Sequence, residues 1–147
     1  MSELCTMHAS LVLWKNKGIL FKGKSGSGKS ELTLKFIENK NAVLVADDVV
    51  ALETRNNMLF GSAPLNIRGL LEIRNVGISR YEFEKEAEIN LVVNLVQSKE
   101  NLERLPKNKC ENILGVEIPA IDLYANAYTF VEKYGKDKIV KAMLVQK

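Results

Sequence analysis

Gly23-Lys24-Ser25-Gly26-Ser27-Gly28-Lys29-Ser30 fits G-x-x-x-x-G-K-[ST], and the fold is read outward from it. Glycine at the turns lets successive backbone N–H groups point inward and ring a phosphate. Lys29 can then reach the outer phosphates of a nucleotide as a point charge, and the Ser30 hydroxyl is placed to meet Mg²⁺. The pattern carries weight only when a strand enters the loop and a helix leaves it, and both flanks supply this. Gly18 to Lys22 reads as a strand running straight into the loop. Glu31 to Asn39 reads as a helix with Leu32, Phe36 and Ile37 on one side, and its N-terminus adds partial positive charge beneath the phosphates.

Upstream, Ser10 to Lys15 reads as a strand and Asn16-Lys17-Gly18 as a tight turn, so a hairpin delivers the loop. Downstream, Ala42-Val43-Leu44-Val45-Ala46 has the character of a strand buried on both faces, and it ends in Asp47-Asp48. Two carboxylates at the end of a buried strand, shortly after a phosphate loop, have a plain chemical use. One can orient Mg²⁺ and the other can take a proton from an attacking hydroxyl. The expected fold is therefore α/β: a single domain over residues 1–147 that contains the phosphate loop, with a mixed sheet flanked by helices.

Composition bounds the partners. The net charge of +3 is carried by dispersed lysines with no aromatic platform among them, so nucleic acid is not expected. No stretch reaches the ~20 apolar residues of a membrane span, and Lys15 and Lys17 interrupt the only candidate leader. A cytoplasmic protein with no membrane partner is expected. Cys5 and Cys110 form no C-x-x-C, and His8 stands alone, so no His/Cys metal cluster is expected and the thiols read as reduced.

Val49 to Thr54 and Met58 to Ser62 flank Arg55-Asn56-Asn57 as a second hairpin. Glu72 and Arg74 fall on one side of an extended segment, a spacing more typical of a surface ion-pair row than of a site. Tyr81 to Glu88 reads as a short amphipathic helix or a loop, and Ile89 to Val96 as a core strand. Asn112 to Ile118 and Ala120 to Leu123 read as short strands around Pro119, and Asn126 as the cap of a final helix.

Four motifs in order resemble the catalytic domain of the HPr kinase/phosphorylase family, whose bacterial members phosphorylate a serine of the phosphocarrier protein HPr. They are Met7-His8-Ala9 before the first strand, Gly23 to Ser30 followed by Glu31, Val45-Ala46-Asp47-Asp48, and Leu71-Glu72-Ile73-Arg74-Asn75-Val76-Gly77-Ile78. Gly61-Ser62-Ala63-Pro64 also matches. The resemblance implies an HPr kinase/PEP carboxykinase-like fold and an ATP- and Mg²⁺-dependent protein serine kinase acting on an HPr-like phosphocarrier. It implies that Gly23 to Ser30 bind the nucleotide and that Lys29 stabilises the transferred phosphoryl group. Asp47 would take the serine proton with support from His8, Ser30 and Glu72 would hold Mg²⁺, and Arg104 matches a catalytic arginine. It also implies a homo-oligomer, since long members form ring-like assemblies.

Measured against long members, no N-terminal domain is expected here, Asn75 stands for a signature glycine, and the Arg/Gly-rich loop used for dephosphorylation has no counterpart. The chain resembles short, kinase-only members, and nothing in it gives ground to expect the reverse phosphorolysis. Three other readings use the same core: a kinase of a small molecule, a nucleotide-sensing module without catalysis, and an ATP-hydrolysing switch, for which no separate water-positioning glutamine or finger arginine is evident. Asp47 together with Glu72 speaks against the second, because a module that only binds needs no base.

Overall fold

The computed structural model describes residues 4–24, 26–73, 76–96 and 109–124. The expected final helix at Asn126 lies outside the described residues, as does Arg104. The elements are β1 (Leu4–Trp14), β2 (Lys17–Lys22), α1 (Lys29–Lys40), β3 (Val43–Ala46), β4 (Val49–Arg55), β5 (Met58–Ser62), a 3₁₀ turn (Leu65–Ile67), β6 (Leu70–Ile73), β7 (Gly77–Arg80), β8 (Ala87–Val96), β9 (Lys109–Ile113) and β10 (Val116–Tyr124).

Two-residue turns make the tight hairpins. Lys15 and Asn16 both take positive φ (51° and 64°), as do Asn56 and Asn57 (53° and 64°). Paired positive φ matches the twist of the flanking strands, and asparagine tolerates it better than most residues. The first turn thus falls one residue earlier than the sequence suggests, and β2 begins at Lys17.

An eight-stranded sheet has the path β2-β1-β4-β5-β8-β10-β9, with β3 also on β1. Because β2 pairs with β8 as well as with β1, the run from β2 to β8 closes on itself. Inside this ring lies the larger core, with Leu11, Leu20, Leu52, Leu59, Ile89 and Val92. On the outer face of β1, β2 and β8, α1 covers Val12, Trp14, Ile19, Phe21, Leu91 and Val93 with its own Leu32 and Phe36. Period-2 alternation explains the division: Leu20 points into the ring, and Ile19 and Phe21 point to the helix. Phe36 meets Trp14 edge-on at 5.4 Å and Phe21 at 5.3 Å between centroids, contacts worth about 0.5–1.5 kcal/mol each beyond burial.

β2 runs parallel to β8, and β8 parallel to β10. β10 passes through Pro119, which the sequence reading leaves between two strands. The ladder to β8 begins at Ala120, so the proline sits just before that ladder, where a missing N–H is tolerated. Tyr81 to Glu86 is not helical. It is a loop, one of the two readings the sequence allowed, in which Phe83 makes an isolated parallel bridge to Leu44. β6 and β7 form a separate antiparallel hairpin, with Leu71 buried against the body and Glu72 exposed.

The long strand β1 changes partners along its length. His8 is opposite Val49 of β4, and Leu11 is opposite Ala46 of β3. Between those ladders, Ala9 and Ser10 face the Asp47-Asp48 turn. The site is built at this junction.

Candidate active site

The loop between β2 and α1 approaches its own chain closely. A Cβ on Gly23 would lie 2.5 Å from Ser27 Oγ and 3.1 Å from Leu95, so only glycine fits there. Gly28 caps α1 at φ 101°, a conformation that L side chains rarely adopt. The chain therefore enters the helix with its first N–H groups open to an anion.

Lys29 folds back over this loop, and its ammonium donates to the Gly23 carbonyl at 2.7 Å and the Lys24 carbonyl at 3.1 Å. Burial pushes its pKa below the ordinary lysine value, while the carboxylates of Asp48 and Asp47 pull it back up. Thr33 pins the first turn from the other side, its hydroxyl donating to the Lys29 carbonyl at 2.8 Å.

The two aspartates at the end of β3 differ sharply. Asp47 is 6% exposed, and both of its oxygens are engaged. Ser30 Oγ and Ser10 Oγ each donate to Oδ1 at 2.8 Å, and the Glu72 N–H donates to Oδ2 at 3.3 Å. Asp47 thus ties together α1, β1 and the β6–β7 hairpin. Asp48 is exposed, and its Oδ1 lies 3.3 Å from His8 Nε2. A tight turn presents it. Val49 N–H donates to the Asp47 carbonyl at 2.8 Å, with Asp48 between them at φ 69°. A non-glycine residue stays in that region only when its surroundings hold it.

His8, Gly26, Gly28, Lys29, Ser30, Glu31, Asp48 and Glu72 line one open cleft of about 290 Å³. Six of the expected site residues converge here: His8, Gly26, Gly28, Lys29, Ser30 and Glu72. Ser25 and Arg104 are outside the described residues. The structure buries the carboxylate of Asp47, the expected proton acceptor, with protein donors on both oxygens and away from the cleft lining, whereas Asp48 lines the cleft. His8 likewise meets Asp48 and not Asp47. The sequence reading also missed Ser10, a lone serine at the start of an apolar strand, for which the sequence offers no signal beyond its polarity. Glu31 joins the wall through its place in the first turn of α1.

Among the described residues no group of three or more His, Cys, Asp or Glu side chains is gathered to cage a metal. The donors present suit Mg²⁺, which keeps much of its water and takes one or two protein ligands beside substrate phosphates. The Ser30 hydroxyl proton goes to Asp47, so its lone pairs are left for a cation, and the exposed Glu72 carboxylate shares the same cleft.

Residues 1–132 match the family model described as HPr Serine kinase C-terminal domain. The chain is 36% identical over 124 residues to the HPr kinase/phosphorylase of Mycoplasma genitalium, a match covering 76% of this chain and 40% of that protein. It is 37% identical over 132 residues to the HPr kinase/phosphorylase of Mycoplasma mycoides subsp. mycoides SC, covering 82% and 42%. The chain thus spans about two fifths of the length of these curated relatives. The solved structure of the Hpr(Ser) kinase/phosphatase from Coxiella burnetii superposes with a TM-score of 0.79 at 30% identity, covering 93% of this chain and 97% of that one. Among the described residues no helix is long and apolar enough to cross a membrane.

Proposed function

Since this chain belongs to the HPr serine kinase C-terminal domain family, we propose that it transfers the γ-phosphoryl group of ATP to a serine of an HPr-like phosphocarrier protein. The observation that carries this reading is the pairing of Asp48 with His8 inside the cleft that the glycine-rich loop and Lys29 also line.

The acceptor serine hydroxyl attacks the γ-phosphorus in line with the departing ADP oxygen. The new O–P bond forms as the bond to ADP breaks, and the hydroxyl proton passes to the Asp48 carboxylate. His8 Nε2, at 3.3 Å, steadies that carboxylate against the incoming hydroxyl. Lys29 exchanges its two loop carbonyls for phosphate oxygens, and the open N–H groups at the start of α1 neutralise the charge that spreads over the transferring group. Asp47 does not take part in proton transfer. It holds Ser30 by the hydroxyl and the Glu72 backbone by its N–H, so that the two residues that would hold Mg²⁺ keep a fixed separation. Bound Mg²⁺ supplies further neutralisation of the phosphate oxygens.

The test is incubation of the purified chain with ATP, Mg²⁺ and HPr from the same organism, read by intact mass and phosphoserine mapping. A single phosphoserine on HPr is expected. Phosphate appearing only on a small molecule, or ATP bound without turnover, would overturn the reading.

A further inference from the structure

We propose that Ser10 is a positioning residue of this phosphotransfer centre, its one hydroxyl holding both Asp47 beneath the loop and the Asp48 backbone in the turn that aims its carboxylate into the cleft. The proposal rests on the kinase reading above.

Ser10 is fully buried on β1 and does not line the cleft, so it cannot touch substrate. Its Oγ–H donates to Asp47 Oδ1 at 2.8 Å, and the same oxygen accepts the Asp48 N–H at 3.3 Å. The order of the ladders explains the arrangement. The β1–β3 ladder ends at Leu11 and the β1–β4 ladder resumes at His8. In the gap, the Ala9 N–H donates to the Asp48 carbonyl at 3.1 Å, and the Ser10 side chain receives the next N–H in place of a backbone carbonyl. Asp48 sits at φ 69° in that gap and needs such an anchor.

The hydroxyl is suited to this because it is at once donor and acceptor. Its proton is committed to Asp47, a carboxylate that can only accept, which leaves a lone pair for the Asp48 N–H. Alanine can do neither, and threonine can do both.

His8 is the sole histidine of the chain, so its ring resonances report on the Asp48 contact without assignment. Wild type, Ser10→Ala, Ser10→Thr and Asp48→Asn are compared by ring NMR and by steady-state phosphorylation of HPr. Ser10→Ala is expected to lower kcat by about 10- to 100-fold, the usual range for a residue that orients a functional group. The KM for ATP should move by no more than about threefold, because the loop contacts to nucleotide remain. The His8 signals should shift toward those of Asp48→Asn, and Ser10→Thr should restore both readouts.

Wild-type kcat in Ser10→Ala, a loss of ATP affinity equal to the loss of kcat, or His8 signals left at the wild-type position would each overturn the proposal. So would a folded Ser10→Thr no better than Ser10→Ala. If Ser10→Ala fails to fold, Ser10→Cys replaces it. The thiol nearly conserves volume but bonds weakly, so the same loss supports the proposal, and full turnover sinks it. If wild type transfers nothing to HPr, the kinase reading fails on its own, and the His8 signals still decide whether Ser10 places Asp48.

Discussion

β2 and β3 flank β1, run in the same direction, and end side by side at the cleft, yet they equip it in opposite ways. β2 ends in a loop that works through its backbone: glycine at Gly23 and Gly28 permits close approach and positive φ, and the donors are amide groups. β3 ends in side chains, and one residue step separates a buried carboxylate with every oxygen engaged from an exposed one facing solvent and His8. A backbone cradle tolerates change only where glycine is not required. A side-chain pair depends on who holds each member, and the holders come from β1, α1 and β6.

Three substitutions would break or sharpen this contrast. The largest effect is expected at Asp48. Asp48→Asn should lower kcat by roughly 10²–10⁴, the range for a lost general base, with ATP affinity by calorimetry unchanged. Near-normal kcat would remove the proton-acceptor role from the β3 end. Lys29→Ala on the β2 side should follow closely, removing about 2.7–4 kcal/mol of transition-state stabilisation in kcat/KM for HPr, as for other lost electrostatic donors. Since Lys29 also bonds the Gly23 and Lys24 carbonyls, a lower unfolding midpoint in urea should accompany it. Glu72→Gln should act more mildly, raising the Mg²⁺ concentration for half-maximal rate by about tenfold while the rate at saturating Mg²⁺ recovers. A Mg²⁺ curve identical to wild type would detach the β6–β7 hairpin from metal binding.

The contrast also shows what the sequence alone could reveal. The β2 end was legible because its information is local: a glycine spacing, a strand before it, and an apolar helical stripe after it. The pair Val49 to Ser62 was legible for the same reason, whereas the strands expected around Pro119 were misplaced: the chain turns at Leu114-Gly115, inside the expected Asn112 to Ile118 strand, and β10 runs through Pro119. The difference in burial between Asp47 and Asp48 was not legible. Adjacent identical residues carry no internal signal of which will be buried, and here burial follows from β1 leaving β3 at Leu11 and joining β4 at His8. That junction lies 37 residues from Asp47 along the chain for the Ser10 contact. Glu72 shows the same limit. Its spacing from Arg74 suggested a surface row, and the bond from its N–H to Asp47, 25 residues away in sequence, helps tie its strand to the site. For Tyr81 to Glu88 the sequence left helix or loop open, because an amphipathic acidic run can satisfy a helical period; residues 81–86 are loop, held to Leu44 by the Phe83 bridge, and Ala87 opens β8.

The most direct test of the division between the two aspartates is the single-turnover rate of phosphoryl transfer to HPr by Asp47→Asn, measured across Mg²⁺ concentrations with Asp48→Asn as reference. The expected result is a rate that needs more Mg²⁺ but climbs to within about tenfold of wild type at saturation, as for a residue that orients metal ligands, while Asp48→Asn stays slow at every Mg²⁺ concentration. A slow Asp47→Asn that no amount of Mg²⁺ rescues, beside an active Asp48→Asn, would contradict it.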